Sequence, residues 1–217
     1  MAMKLVYMKR KMISDIITIC QLSECKLSKE GKHAILKDFS WRYAEMRDLN
    51  DFNNVAQGEE QPNKKTKKLG NKYWSEKALE QYKKGCCDKN LCFDHIVPKR
   101  IFIELFIKGG EEVLKDKNES DIRNILDKIL VGCVITNDEN DDLQKNGLRQ
   151  KMPMNIDENL DNICQHRWGR YLDRGIIPKE VKWELSQNNK GFIWTMKAIN
   201  DVEDYEKQKR QKDGNNR

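Results

Sequence analysis

Residues 91–99 read Leu-Cys-Phe-Asp-His-Ile-Val-Pro-Lys, and this string constrains the chain more than any other stretch. A short apolar run closes on a carboxylate and an imidazole side by side. Leu91, Cys92 and Phe93 suit a strand, whereas Pro98 ends one, because it lacks a backbone donor and stiffens the turn. Neighbours on a strand point to opposite faces. Asp94 and His95 can therefore serve one site only where the strand ends or turns.

The chain has 217 residues, enough for one or two domains with a real core. Its composition is polar, with 35% charged residues, but five Trp, six Tyr and six Phe argue against wholesale disorder. Lys and Arg total 41 against 35 acids, a net charge of +6 that suits a polyanionic partner. Seven cysteines at irregular spacing give no disulfide framework and point to a reducing compartment. Lys4, Lys9, Arg10 and Lys11 precede an apolar run at 13–20 in the manner of a signal peptide, but Asp15 interrupts it and no small-residue cleavage site follows. No apolar run reaches the roughly 20 residues of a membrane span. The expectation is a soluble cytoplasmic protein without a membrane partner.

Periodicity predicts an amphipathic helix over 3–22, carrying Ile13, Ile16, Ile17 and Cys20. A second is predicted over 32–49, with a stripe of Ile35, Leu36, Phe39, Tyr43 and Met46. Residues 50–72, with the run Lys64-Lys65-Thr66-Lys67-Lys68, read as a linker. Ser75 is expected to cap a helix over 76–84, 91–95 to form a strand, and 98–130 to be helical, with Ser120 capping its second half. Val131–Ile135 suits a second strand. Thr136-Asn137-Asp138-Glu139 has the form of a capping box, opening a helix that ends near Gly147. A helix is expected over 157–173, and a frayed charged tail over 203–217. The domains so read are a helical region 1–55, a core 72–175 and a C-terminal region 176–217.

The order of strand with Asp-His, helical insertion, strand and capped helix resembles the HNH nucleases of the ββα-metal fold. The resemblance covers roughly 91–147 and is specific mainly at 93–99. It implies an α+β chain with a ββα-metal core among helices, and a nuclease that hydrolyses DNA phosphodiesters, in a restriction or defence role. It implies that His95 is the general base and that Asp94 ligates Mg²⁺ or a similar divalent cation. Val134-Ile135-Thr136 followed by Glu139-Asn140 fits the end of the second strand and its helix, which makes Asn140 the second metal ligand. Two departures stand out. The insertion 96–130 is 35 residues long, and Val131 and Gly132 occupy the region where the family has its middle Asn. A backbone group, Asn124 or Asn137 could fill that place. Cys86, Cys87, Cys92 and Cys133 do not form the Cys-x-x-Cys pairs of a structural zinc site, so none is expected.

Lys99 and Arg100, just past the base, and Arg149 and Lys151, past the helix, are the expected nucleic-acid contacts. Arg167, Trp168, Arg170, Tyr171 and Arg174 mix cations with aromatics; they read either as a nucleic-acid surface or as an ordinary amphipathic helix with Trp168 and Tyr171 in the core. Asp138, Glu139, Asp141 and Asp142 read either as a solvated helix start or as a source of one more metal ligand. The DNA would be double-stranded, with a homodimer if its site is palindromic. The rival readings are an RNA-cutting or toxin HNH enzyme, and a non-catalytic DNA-binding protein with a degenerate site.

Overall fold

The computed structural model describes residues 2–21, 27–53, 71–84, 88–108, 113–185, 192–197 and 199. The Lys64–Lys68 run, Cys86, Cys87 and the tail 203–217 lie outside them. Helices α1 (Ala2–Gln21) and α2 (Lys29–Asn53) come first, where the apolar period placed them. Ile13, Ile16 and Cys20 are the buried stripe of α1, and Leu36, Phe39 and Tyr43 that of α2. Ile35 departs from its expected place and is 40% exposed, because Leu36 already points inward at that turn.

Five strands follow: β1 (Tyr73–Ser75), β2 (Leu91–His95), β3 (Gly132–Thr136), β4 (Pro178–Leu185) and β5 (Phe192–Lys197). They form one mixed sheet in the order β2-β3-β1-β4-β5, and with the helices they make an α+β fold. β2 pairs antiparallel with β3, and β1 runs parallel to β3 through Trp74 and Val134. β4 pairs antiparallel with both β1 and β5.

The helices between the strands are α3 (Glu76–Lys83), α4 (Lys99–Lys108), α5 (Glu119–Ile129), α6 (Asn137–Lys145), α7 (Leu160–Gln165) and α8 (Gly169–Asp173). Ser75 caps α3 through the Ala78 amide, as its position before Glu76 predicts. The cap of α5 is Asn118 rather than Ser120: its side chain accepts from the Ser120 and Asp121 amides, and the Asp121 carboxylate returns the bond to the Asn118 amide. That reciprocal pair satisfies two donors at once, which a hydroxyl at 120 does not. The single helix expected over 157–173 is two, α7 and α8. A side chain at Gly169 would place its Cβ 2.2 Å from the Ile156 side chain, so the backbone passes close to Ile156 there.

The 96–130 insertion is core, not loop. Ile101, Phe102, Ile103 and Phe106 of α4 and Ile122, Leu126 and Ile129 of α5 are all buried. Phe39 stacks on Phe102 at 6.2 Å, and Phe102 meets Phe106 at 4.8 Å. Each such pair contributes about 0.5–1.5 kcal/mol beyond its buried area. Tyr43 donates to Asp127 Oδ1 at 3.1 Å and so ties α2 to α5 as well. These contacts fix α2 beside the end of β2. No helix among the described residues is long and apolar enough to cross a membrane.

Candidate active site

β2, β3 and α6 are consecutive in space, and the end of β2 opens on a cleft of about 580 Å³. Asp94, His95 and Asn140 all line it. His95 is the last residue of β2 and pairs with Gly132, while Asp94 pairs with Cys133. Beyond them the Ile96 amide donates to the Val131 carbonyl at 2.9 Å, and the chain turns away at Pro98. That turn is what lets two neighbouring side chains face one space. Gly132 is required beside them: a Cβ there would lie 1.9 Å from the Phe93 ring.

The turn is locked from a distance. Arg170, on α8, is fully buried and donates to the carbonyls of Ile96 at 2.9 Å and Leu148 at 3.1 Å. Its remaining nitrogen, Nη2, donates to the His95 carbonyl and to Asp94 Oδ2. Tyr171 also donates to Asp94 Oδ2, at 2.8 Å. Burial raises the Tyr171 hydroxyl well above its ordinary range, and the Asp94 charge adds to this, so the hydroxyl stays a donor. These contacts all fall on Oδ2. They orient the carboxylate and do not engage Oδ1.

His95 is 3% exposed. Burial pushes its pKa down to about 4 despite the nearby Asp94 charge. Nε2 is buried and has no partner among the described residues. The Trp41 ring, from α2, meets the imidazole edge-on at 4.7 Å, and Phe93 does so at 5.5 Å. The ring is thus neutral, packed between Trp41 and Phe93 with Nε2 left unpartnered.

The remaining expected residues divide. Lys99 lines the cleft, with Nζ 4.1 Å from the Trp41 ring centroid; burial and the charges of Lys37 and Arg149 lower its pKa. Arg149 lines the cleft and donates to Gln144 Oε1 at 2.8 Å. Arg100 also borders it, but its guanidinium pairs with Glu104 at 2.7 Å and Glu158 at 2.9 Å and donates to the Gln150 carbonyl. Lys151 is exposed and is not among the side chains lining the cleft. Of the residues considered for the middle place, Asn124 is exposed, and Asn137 donates to the Lys89 carbonyl at 2.8 Å. The backbone of Val131 and the side chain of Arg170 brace that turn instead.

The acidic cluster is drawn away from the cleft. Glu139 is buried and accepts from Ser75 at 2.6 Å and from the Thr136 amide at 2.9 Å, completing the capping box. Asp142 pairs with Arg174 at 2.8 Å. Cys133 is buried and Cys92 half-buried, both with free thiols. Trp168 and Tyr171 belong to the core.

Among the described residues, no three His, Cys, Asp or Glu side chains converge as a metal site. A cation at this cleft would be held by the free oxygen of Asp94 and the amide oxygen of Asn140. Both are hard ligands that suit Mg²⁺, and solvent or phosphate oxygens would complete the shell. Two contributions escaped sequence reasoning. Arg170 is legible only within a mixture of cations and aromatics, and its grip on the turn comes from 75 residues beyond His95. Trp41 did leave a signal: it lies off the Leu36–Phe39–Tyr43 stripe, an aromatic on the outward face of α2. Comparison with family models, curated protein sequences and solved structures finds no match for this chain.

Proposed function

We propose that this protein is a metal-dependent endonuclease of the HNH type, cutting DNA phosphodiesters in a restriction or defence role. The observation that carries the reading is the neutral His95 ring with an unpartnered Nε2, facing the same cleft as a braced Asp94 and the Asn140 amide. The strand, strand, helix order around it supports the same conclusion. His95 takes a proton from the attacking water through Nε2. Asp94 and Asn140 would hold Mg²⁺ or a similar ion, which would supply positive charge to the departing oxygen. Lys99 and Arg149 receive the phosphates of the strand, and Arg100 braces the turn through its two glutamates.

One observation favours a second reading, a DNA-binding protein without catalysis. Arg170 and Tyr171 both take Asp94 Oδ2, which leaves the carboxylate one oxygen for an ion. Supercoiled plasmid and a structured RNA, each incubated with the pure protein and Mg²⁺ or with chelator, separate the readings. Mg²⁺-dependent nicking of plasmid supports the DNA nuclease. Cutting of RNA alone supports an RNA-cutting enzyme, and binding with both substrates intact supports the non-catalytic reading.

A further inference from the structure

Trp41 reaches the His95 imidazole from α2, outside the β2, β3 and α6 unit. Its ring meets the imidazole at 4.7 Å, and Nε2 of that imidazole is buried with no partner among the described residues. A buried polar atom left without a partner is costly, so the fold bears a penalty that opening the site would relieve. Trp41 itself is 37% exposed, whereas Phe39 and Tyr43 on the same helix are buried. The indole can therefore swing out while α2 stays docked through its core stripe.

A cation holds the indole in place. Lys99 Nζ sits 4.1 Å from the Trp41 ring centroid. Lys37 and Arg149 line the same cleft, near enough for their charges to act on Lys99. Three like charges around one opening repel each other and favour an anion between them. A phosphate group there would compete with the indole for the Lys99 ammonium, and a charge-assisted bond to phosphate is stronger than a half-exposed cation–π contact.

We propose that Trp41 is a lid over His95, latched by Lys99 and released when a phosphate of the bound strand takes the Lys99 ammonium. Substrate binding then uncovers the base, and water reaches Nε2 only when a strand is in place. The inference rests on the nuclease reading for the identity of the anion, though not for the lid itself.

Two measurements on the full chain test it, neither of which depends on cleavage. The first is carbethoxylation of each histidine followed by mass spectrometry, with exposed His33 as the reference in the same molecule. Lys99→Gln raises the reactivity of His95 relative to His33 by roughly tenfold, the population shift expected from losing a latch of cation–π strength. Trp41→Ala raises it further. The second is ¹⁹F resonance of the 5-fluorotryptophan protein, with the Trp41 signal assigned by Trp41→Phe. Pyrophosphate and a short oligonucleotide, each added at fixed ionic strength, move the Trp41 signal in the parent and not in Lys99→Gln. A response to pyrophosphate means that the phosphate group alone releases the latch, and a response to the oligonucleotide alone means that a strand is required. Equal His95 reactivity in parent and Trp41→Ala overturns the lid, and a Trp41 signal unmoved by both ligands overturns the release. Absence of cleavage alongside both expected responses would sink the nuclease reading and leave the lid standing.

Discussion

One nitrogen of the Arg170 guanidinium donates to both the Asp94 carboxylate and the His95 backbone carbonyl. A single side chain from α8 thereby fixes the orientation of one site residue and the backbone of its neighbour. The guanidinium suits this task because its fork of donors is rigid and its charge is permanent. It is 1% exposed, so its removal takes a buried donor from the carbonyls of His95, Ile96 and Leu148 and leaves Asp94 Oδ2 to Tyr171 alone.

Arg170→Ala is therefore expected to lower the free energy of unfolding by about 3–5 kcal/mol, the cost of breaking a buried pair from one side. Arg170→Lys keeps the charge but loses the fork, and should fall short of the parent while exceeding Arg170→Ala. Urea midpoints of the three proteins give the order. A surface-like loss below about 0.5 kcal/mol in Arg170→Ala would remove the clamp from the account.

Gly132 is the second structural requirement. A Cβ at 132 would meet the Phe93 ring at 1.9 Å, and Phe93 in turn packs on His95. Gly132→Ala should destabilise by about 1–3 kcal/mol through overpacking. Phe93→Ala removes the obstacle, so the double variant should lose less than the sum of the two single losses. Strict additivity in that cycle would show that the ring is not what the methyl meets.

The buried imidazole gives stability a pH dependence of known sign. Burial holds the His95 pKa at about 4, against an ordinary value of 6.5. Above pH 6.5 the ring is neutral in both folded and unfolded chains, and the stability from this group is fully present. As pH falls below that value the unfolded ring takes a proton that the folded one refuses, and stability is lost until about pH 4. The metal-free parent should lose on the order of 3 kcal/mol across that window relative to His95→Asn. Parallel stability curves for the two proteins would contradict the burial of the ring.

Salt dependence separates two neighbouring cations. Lys99 faces the cleft, whereas Arg100 is engaged by Glu104 and Glu158. Lys99→Ala should reduce the salt slope of DNA binding by about one unit, the release expected for one phosphate contact, and Arg100→Ala should leave it near the parental value. The reverse order, from filter binding across a salt series, would mean that the strand runs along the other side of α4.

The parts of this molecule that are legible in sequence are those written in local patterns. β2, β3, the Thr136–Glu139 box and the stripes of α1 and α2 all follow from spacing within a few residues. β1 escapes because it is three residues long and gains its strand from partners far along the chain. The break between α7 and α8 escapes because the apolar and aromatic pattern runs on through it, and the close approach of Ile156 to Gly169 is a tertiary contact. Asp94, His95 and Asn140 could be read from the chain as separate letters. Their bracing could not, since Arg170, Tyr171 and Trp41 reach the site only through tertiary packing.

The most direct measurement is the single-turnover rate of plasmid nicking by His95→Ala in saturating Mg²⁺, with DNA binding measured on the same protein. Loss of the general base should lower the rate by about 10²- to 10⁴-fold while binding stays close to the parental value. Nicking by His95→Ala at the parental rate would contradict the assignment of His95 as the base, and with it the account of this cleft as the site of cleavage.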